Sequence, residues 1–376
     1  MRKTVFLYTK EYQRFDYGPS HPLRISRLAL AYELIGAFGL LDLPNTCFIE
    51  AQRASDADVL SFHSREYLDA LKEANTGKDL LYGPFFGIGP GDNPAFEGLL
   101  DWSLLVAGAS LQAASLVDGG EADIAFNIAG GLHHALASRA SGFCYINDAV
   151  VAIMSLLKKG RRVVYIDIDA HHGDGVQEAF YRTDRVLTIS IHETGTMLFP
   201  GTGFENETGE GRGEGYSVNV PMPPYSDDEL FLYAFRETVP ALIERFRPDV
   251  VFTQLGVDSF RSDPLAHLNY TVNGFCEAVK MIKELAPKWV ALGGGGYDIP
   301  NVAKAWTLAW AIMNGVELPD AIPPDFLARN ADAGFPDGRL RSEGYSIEGE
   351  RKERMREEVE RVVAFVKEKV IAKMVH

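Results

Sequence analysis

The nine residues Asp167-Ile168-Asp169-Ala170-His171-His172-Gly173-Asp174-Gly175 carry three carboxylates and two imidazoles. Side chains two apart share one face of an extended strand, so Asp167, Asp169 and His171 are expected to point together while Ile166, Ile168 and Ala170 pack behind. Two carboxylates side by side at a buried strand end are costly unless a cation or hydrogen bonds compensate. No Lys or Arg lies between Val163 and Tyr181, which argues against an ordinary salt-bridged strand end. A second apolar run, Val250–Val257, ends in Asp258. By itself that aspartate reads as a turn or cap. Combined with Asp169 and His171, it completes a set of two oxygens and one nitrogen that leaves positions open for water and substrate, as a catalytic divalent ion requires. The expected chemistry is metal-dependent hydrolysis.

Two further motifs fit around such an ion. His133-His134 follow the turn Ala129-Gly130-Gly131, and a neutral imidazole beside a metal site is a natural proton acceptor. Asp167 and Asp174 are the carboxylates free to orient the two rings. Gly293-Gly294-Gly295-Gly296-Tyr297 follows the apolar run Trp289–Leu292. It lacks GxGxxG spacing, and the chain has no GK[ST], so neither a dinucleotide loop nor a P-loop is indicated. The glycines instead allow a sharp turn that presents Tyr297, whose phenol, with a pKa of about 10, can donate to an oxyanion.

These residues need a scaffold that brings distant segments to one edge. Candidate strands are Thr4–Tyr8, Asp123–Asn127, Arg162–Asp169, Arg185–His192, Tyr216–Val220, Asp249–Val257 and Lys288–Leu292. Candidate helices are Pro22–Ala37, Phe96–Val117, Asp148–Lys158, Asp227–Phe246, Val272–Leu285 and Pro300–Met313. Continuous apolar runs such as Val163-Val164-Tyr165-Ile166 indicate strands buried on both faces. The alternation of strands and helices then predicts one α/β domain over residues 1–376, a mostly parallel sheet with helices on both sides. In such sheets ligands bind at the carboxyl ends of the strands, where every polar motif named above falls. No internal repeat or linker is evident. Pro200–Pro221 is a long glycine-rich loop, and the charged tail from Ser346 reads as a solvated terminal helix.

Composition narrows the classes. The 376 residues are 46% hydrophobic and 24% charged, the balance of a soluble globular protein. Leu99–Val117 is apolar but interrupted by Asp101, three serines and Gln112, which suits a buried helix better than a membrane span. The first residues lack the long apolar stretch of a secretory signal. Cys47, Cys144 and Cys276 are widely spaced and odd in number, so no disulfide framework is expected and a reducing cytoplasm is the simplest setting. Thirty-seven basic against 52 acidic residues give a net charge of −15. That argues against binding nucleic-acid phosphates; it could attract basic polypeptides, although an ordinary solubility charge explains it as well.

Taken together, the motifs resemble the histone deacetylase family of the arginase–deacetylase superfamily, closest to its class I type and the prokaryotic relatives that include acetoin-utilisation proteins. The resemblance rests on His21-Pro22 through Arg27, Gly130 to His134, and Gly142-Phe143-Cys144-Tyr145-Ile146-Asn147-Asp148. It continues through Asp167 to Gln177, Phe199 to Gly203, Gly256-Val257-Asp258, Asp263-Pro264-Leu265 and Gly293 to Tyr297. It spans roughly residues 3–315, with 320–376 as a C-terminal extension. The resemblance implies a zinc amidohydrolase, iron being the alternative metal, acting on N-ε-acetyl-lysine of a protein, peptide or small molecule. It implies that Asp169, His171 and Asp258 hold one zinc ion. His134 with Asp174 would be the general base and then acid, and His133 with Asp167 its electrostatic partner. Tyr297 would polarise the acetyl carbonyl. Gly142, Phe143, Phe199 and Leu265 would line a tunnel for the lysine chain. Asp92 resembles the rim residue that holds substrate backbone, and Arg27 the arginine of an internal cavity beneath the metal. Potassium would bind at Asp167, Asp169, His171, Ser190 and Ile191, and again at Phe180, Thr183, Val186 and Tyr216.

Three other readings compete. A two-metal ureohydrolase would carry further carboxylates where this chain has Gly173 and Gly256. An acetylpolyamine deacetylase would share the core machinery but often narrows its entrance; with no large insertion before residue 90, an open rim is expected, and Phe85–Asn93 is the segment that decides. A non-enzymatic acetyl-lysine binder would be expected to lack some catalytic group, and none is missing.

Overall fold

The computed structural model of the chain describes residues 2–374. In chain order its principal elements are β1 (Thr4–Tyr8), α1 (Ser26–Ala37), β2 (Thr46–Glu50), α2 (Asp56–Val59), α3 (Arg65–Ala74), α4 (Leu99–Asp118), β3 (Ile124–Asn127) and α5 (Asp148–Lys158). There follow β4 (Val163–Asp167), α6 (Asp174–Phe180), β5 (Val186–Glu193), β6 (Ser217–Met222), α7 (Asp228–Phe246) and β7 (Val250–Gln254). The last are α8 (Val272–Leu285), β8 (Trp289–Leu292), α9 (Ile299–Asn314), α10 (Pro324–Arg329) and α11 (Glu350–Phe365). All eight strands form one parallel sheet in the order β2-β1-β3-β8-β7-β4-β5-β6. Every strand except the edge strand β2 is buried throughout, the outcome expected from the continuous apolar runs.

This order positions the site. The chain builds β3 and β4 with a gap between them, and β7 and β8 later fill it. Four strands far apart in sequence thus become neighbours, and their register aligns Asn127, Leu292, Gln254 and Asp167 in one row at the carboxyl edge. The loops beyond that row carry His133-His134, Gly293–Tyr297, Asp258 and Asp169–His171 respectively.

Several expectations are corrected. β4 ends at Asp167, two residues earlier than the sequence suggests, because Asp167 Oδ1 accepts the Asp169 N–H (3.1 Å) and Asp169 Oδ1 accepts that of His171 (3.0 Å). Side-chain acceptors thereby replace the sheet ladder while the i, i+2 alternation continues. β7 likewise ends at Gln254 rather than Val257, whose N–H turns to the Gly295 carbonyl. The edge strand β2 and the short helices α2, α3, α6 and α10 are additions to the sequence-based assignment. The terminal helix is not simply solvated: α11 buries Met355, Val359, Val362 and Val363 and packs on α7 and β6. Its charges cover the other face, and Arg361 pairs with Glu205 of the glycine-rich loop (2.5 Å). α4 is long and apolar enough to cross a membrane, but here it packs in the core against α5 and β3.

Candidate active site

Asp169, His171 and Asp258 converge as expected. His171 Nδ1 lies 3.1 Å from Asp169 Oδ1 and 2.9 Å from Asp258 Oδ2, and one donor atom from each residue falls within 4.8 Å of the others. All three are buried. Among the described residues no Lys or Arg lies within 4 Å of either carboxylate; the His171 imidazole stands between them, and His133 Nε2 lies 3.9 Å from Asp169 Oδ1. Burial opposes protonating His171, but the two carboxylates outweigh it and draw its pKa well above the usual histidine value. Two buried anions on one imidazole edge, with no Lys or Arg to pair with them, are a donor set that fits a divalent cation.

The remaining lone pairs are held by the backbone and one amide. Asp169 Oδ2 accepts from Gln254 Nε2 (2.5 Å) and Gly295 N (2.8 Å), and Asp258 Oδ1 accepts from Ala170 N (2.8 Å). These bonds orient the ligands as outer-shell groups commonly do. They also explain the two glycines that set this chain apart from a two-metal site. A Cβ at Gly256 would stand 2.1 Å from Asp169 Oδ2, and one at Gly173 would stand 2.7 Å from Asp167 Oδ2. Neither position has room for a second carboxylate.

Beside the ligands sit two His–Asp pairs. His133 Nδ1 donates to Asp167 Oδ2 and His134 Nδ1 to Asp174 Oδ1, each at 2.7 Å, and the two Nε2 atoms face each other at 3.0 Å. Asp167 is fixed in turn by the Tyr165 hydroxyl (2.8 Å), and Asp174 by its place at the start of α6. Asp148, buried at the start of α5, accepts the N–H groups of Gly131 and Leu132 and so anchors the turn that presents both histidines. The two rings are driven apart electrically. Burial alone would lower His133, yet the charges of Asp167 and Asp169 carry it up to about 9. Burial, joined by the charge of His133, takes His134 down to about 4. At neutral pH the pair therefore carries one positive charge, on His133, while His134 is neutral and its Nε2 can accept a proton.

Tyr297 reaches the same place from β8. Its desolvated setting and the charges of Asp258 and Asp169 push the phenol well above its ordinary value, so it stays a donor. The glycines before it are needed: Gly294 and Gly296 have φ of +133° and +139°, and a Cβ at Gly295 would meet Asp258 Oδ2 at 2.1 Å. His133, His134, Asp169, His171 and Tyr297 all line one internal cavity of about 20 Å³. Arg27 does not line it. Its guanidinium donates to the carbonyls of Gly296 and Gly294, each at 2.7 Å, and so supports the glycine loop.

Phe143 and Phe199 flank the approach. The Phe143 ring packs edge-on against Tyr297 (5.7 Å between centroids), and the Phe199 ring against His134 (5.0 Å). Phe143 has a left-handed backbone (φ 68°), uncommon for an aromatic residue, and its carbonyl is held by the Tyr17 hydroxyl at 2.7 Å. Gly142 lies so close to His134 that a Cβ would be 2.4 Å from its ring. Leu265 is half-buried on the loop after Asp258. Outside, an open groove of about 480 Å³ is lined by Ile88, exposed Asp92, Arg139, Gly142 and Phe199, so Phe85–Asn93 leaves the rim open rather than capping it. His21 braces that rim, receiving the Leu23 N–H on Nδ1 and thus donating from Nε2 to the Asp92 carbonyl (both 3.1 Å).

Of the residues assigned to potassium, Asp167 and Ser190 are register partners on β4 and β5, with Ile191 next in line. Phe180 closes α6, Thr183 and Val186 lie on the way into β5, and the Tyr216 carbonyl accepts from Thr188. Gln254 and Asp148 carry no sequence signal of their supporting roles, because a polar residue at a strand or helix end reads as an ordinary cap, and Tyr165 reads as one more buried residue of an apolar strand.

Comparison with known proteins agrees with this geometry. The histone deacetylase domain model matches residues 21–313. The chain is 41% identical over 337 residues to acetoin utilization protein AcuC of Bacillus subtilis (strain 168), covering 88% of this chain and 87% of that protein. It is 41% identical over 326 residues to histone deacetylase B of Dictyostelium discoideum, covering 85% and 76%. The crystal structure of an HDAC homolog from Aquifex aeolicus superposes with a TM-score of 0.88 at 35% identity, covering 97% of this chain and all of that one. An HDAC homolog complexed with SAHA gives 0.87 at 35% identity, covering 98% and 100%. The chain belongs to the histone deacetylase family.

Proposed function

We propose that the protein is a single-metal amidohydrolase that removes the acetyl group from N-ε-acetyl-lysine in polypeptides. The observation that carries this reading is the histidine pair: two Nε2 atoms 3.0 Å apart, each ring oriented by its own aspartate, sharing a cavity with Asp169, His171 and Tyr297. Asp169, His171 and Asp258 would hold the ion, with zinc favoured by the mixed nitrogen and oxygen set and iron as the alternative. When bound, the ion supplies Lewis acidity toward the acyl oxygen and a lowered pKa for water. His134 takes the proton of the attacking water at Nε2 and returns it to the amine nitrogen as the C–N bond breaks, leaving acetate and free lysine. His133, kept protonated by Asp167, offsets the negative charge that develops beside it. The Tyr297 phenol donates to the carbonyl oxygen as it becomes anionic. Phe143, Phe199, Gly142 and Leu265 would enclose the lysine methylenes, a lining that suits a neutral acetylated chain better than an ammonium. Asp92 would hold substrate backbone at the rim.

The opposite shifts of the two histidines predict a bell-shaped profile of kcat/KM against pH. Activity should fall as pH drops through about 4, where His134 takes up a proton and ceases to be a base. It should fall again as pH rises through about 9, where His133 loses its charge. A profile flat to pH 10 would remove His133 from its electrostatic role.

Acetylated polypeptide is favoured over acetylpolyamine by the open groove beside Asp92 and Phe199. The test is a rate comparison across acetyl-lysine peptides, acetylpolyamines and longer acyl-lysines. The peptides should give the highest kcat/KM, whereas preference for an acetylpolyamine would reassign the substrate with the same machinery intact. Potassium is proposed as a structural ion at the two groups of residues named above, one around Asp167 and Ser190 and one between α6 and β5. A reducing cytoplasmic setting is proposed too, supported by three unpaired thiols, exposed Cys47 and buried Cys144 and Cys276.

A further inference from the structure

The glycine loop is pinned along its whole length. Leu255 N donates to the Gly293 carbonyl (2.7 Å), Arg27 to those of Gly294 and Gly296, and Val257 N to that of Gly295 (2.9 Å). The N–H of Gly295 goes to Asp169. Beyond this run comes Tyr297, whose backbone is caught by a different group: its N–H donates to Asp263 Oδ2 at 2.7 Å. Asp263 is 6% exposed, and its other oxygen accepts the Leu265 N–H at 3.0 Å. One carboxylate therefore ties the loop after β7, which bears Asp258 and Leu265, to the loop after β8, which bears Tyr297.

We infer that Asp263 is a positioning residue for Tyr297, setting the phenol at a fixed place relative to Asp258 and to the tunnel wall at Leu265. The choice of side chain follows from the donors. Two N–H groups from different loops converge on it, and a carboxylate offers an acceptor to each. An amide offers one acceptor and turns its own NH₂ toward the second N–H. Asp263→Asn would keep the volume and break one of the two ties. Because the oxyanion donor must lie within hydrogen-bond distance of an atom that acquires charge only during reaction, a small displacement of Tyr297 should lower turnover more than substrate affinity.

This inference rests on the deacetylase reading for its kinetic test, and hydrogen exchange tests it separately. With metal-loaded full-length protein and an acetyl-lysine peptide, Asp263→Asn should lower kcat about 10- to 100-fold and change KM by less than about 3-fold, with metal content unchanged. In a Tyr297→Phe background the same substitution should lower kcat by no more than about 2-fold, because it acts through the missing hydroxyl. An equal loss in both backgrounds, or a change confined to KM, would overturn the assignment. Amide exchange across residues 293–298 should speed up in Asp263→Asn; unchanged exchange would overturn it also. If the wild type hydrolyses no acetylated substrate, the deacetylase reading fails, and exchange alone decides the role of Asp263. Should Asp263→Asn fail to fold, Asp263→Glu, which keeps the charge but displaces it by one methylene, must give the same split between kcat and KM.

Discussion

Replacing Asp258 with Ala is expected to abolish hydrolysis and to lower bound metal from one ion per chain to a small fraction of that. The reason lies in the donor set. Asp258 provides one of two carboxylates, and its Oδ2 stands 2.9 Å from the imidazole of His171. Without it one carboxylate and one nitrogen remain, too few for a stable catalytic site. Loss of an outer-shell partner commonly costs 10–100-fold in metal affinity, and loss of a ligand should exceed about 100-fold. The fold should survive, since a buried anion is removed and the unpaired donor is one backbone group, the Ala170 N–H. Metal analysis after desalting, with circular dichroism as the control, checks this. A variant that keeps both metal and activity would exclude Asp258 as a ligand.

Tyr297→Phe should behave differently. Metal content should stay at one ion per chain, because Tyr297 is no part of the donor set. Turnover should fall about 100- to 1000-fold, the usual cost of losing one donor to an oxyanion. KM should move little, since the phenyl ring still packs against Phe143. Steady-state kinetics on an acetyl-lysine peptide measure this, and equal turnover in both proteins would take the oxyanion role away from Tyr297. The contrast between the two variants, metal lost in one and retained in the other, separates the residues that hold the ion from those that use it.

Much of the architecture could be read from local pattern. The bounds of α5 and α8 match the sequence expectation, because capping residues and apolar periodicity coincide at Asn147 and Thr271. The central strands were legible because burial on both faces leaves continuous apolar runs. β2 was not, since an edge strand with half-exposed Thr46-Cys47-Phe48-Ile49-Glu50 lacks such a run. The ligands could be named because two carboxylates with no nearby cation are conspicuous on a short segment. Their meeting in space could not be read, since it depends on β7 and β8 entering between β3 and β4. The supporting residues were hidden for a related reason. Gln254 and Asp148 sit at the end of an element and Asp263 in the loop after β7, places where a polar side chain is unremarkable; only the partners brought by the fold distinguish them. Arg27 was named by resemblance alone; its bonds to two glycine carbonyls depend on the loop that the fold brings beside it.

The central claim is that one divalent ion, held by Asp169, His171 and Asp258, drives amide hydrolysis at this site. It is tested most directly by stripping the protein of metal and titrating zinc back while following release of acetate from an acetyl-lysine peptide. The expected result is no activity in the stripped protein, then a linear rise that stops at one equivalent per chain. Activity that persists without metal, or that needs two equivalents, would contradict it.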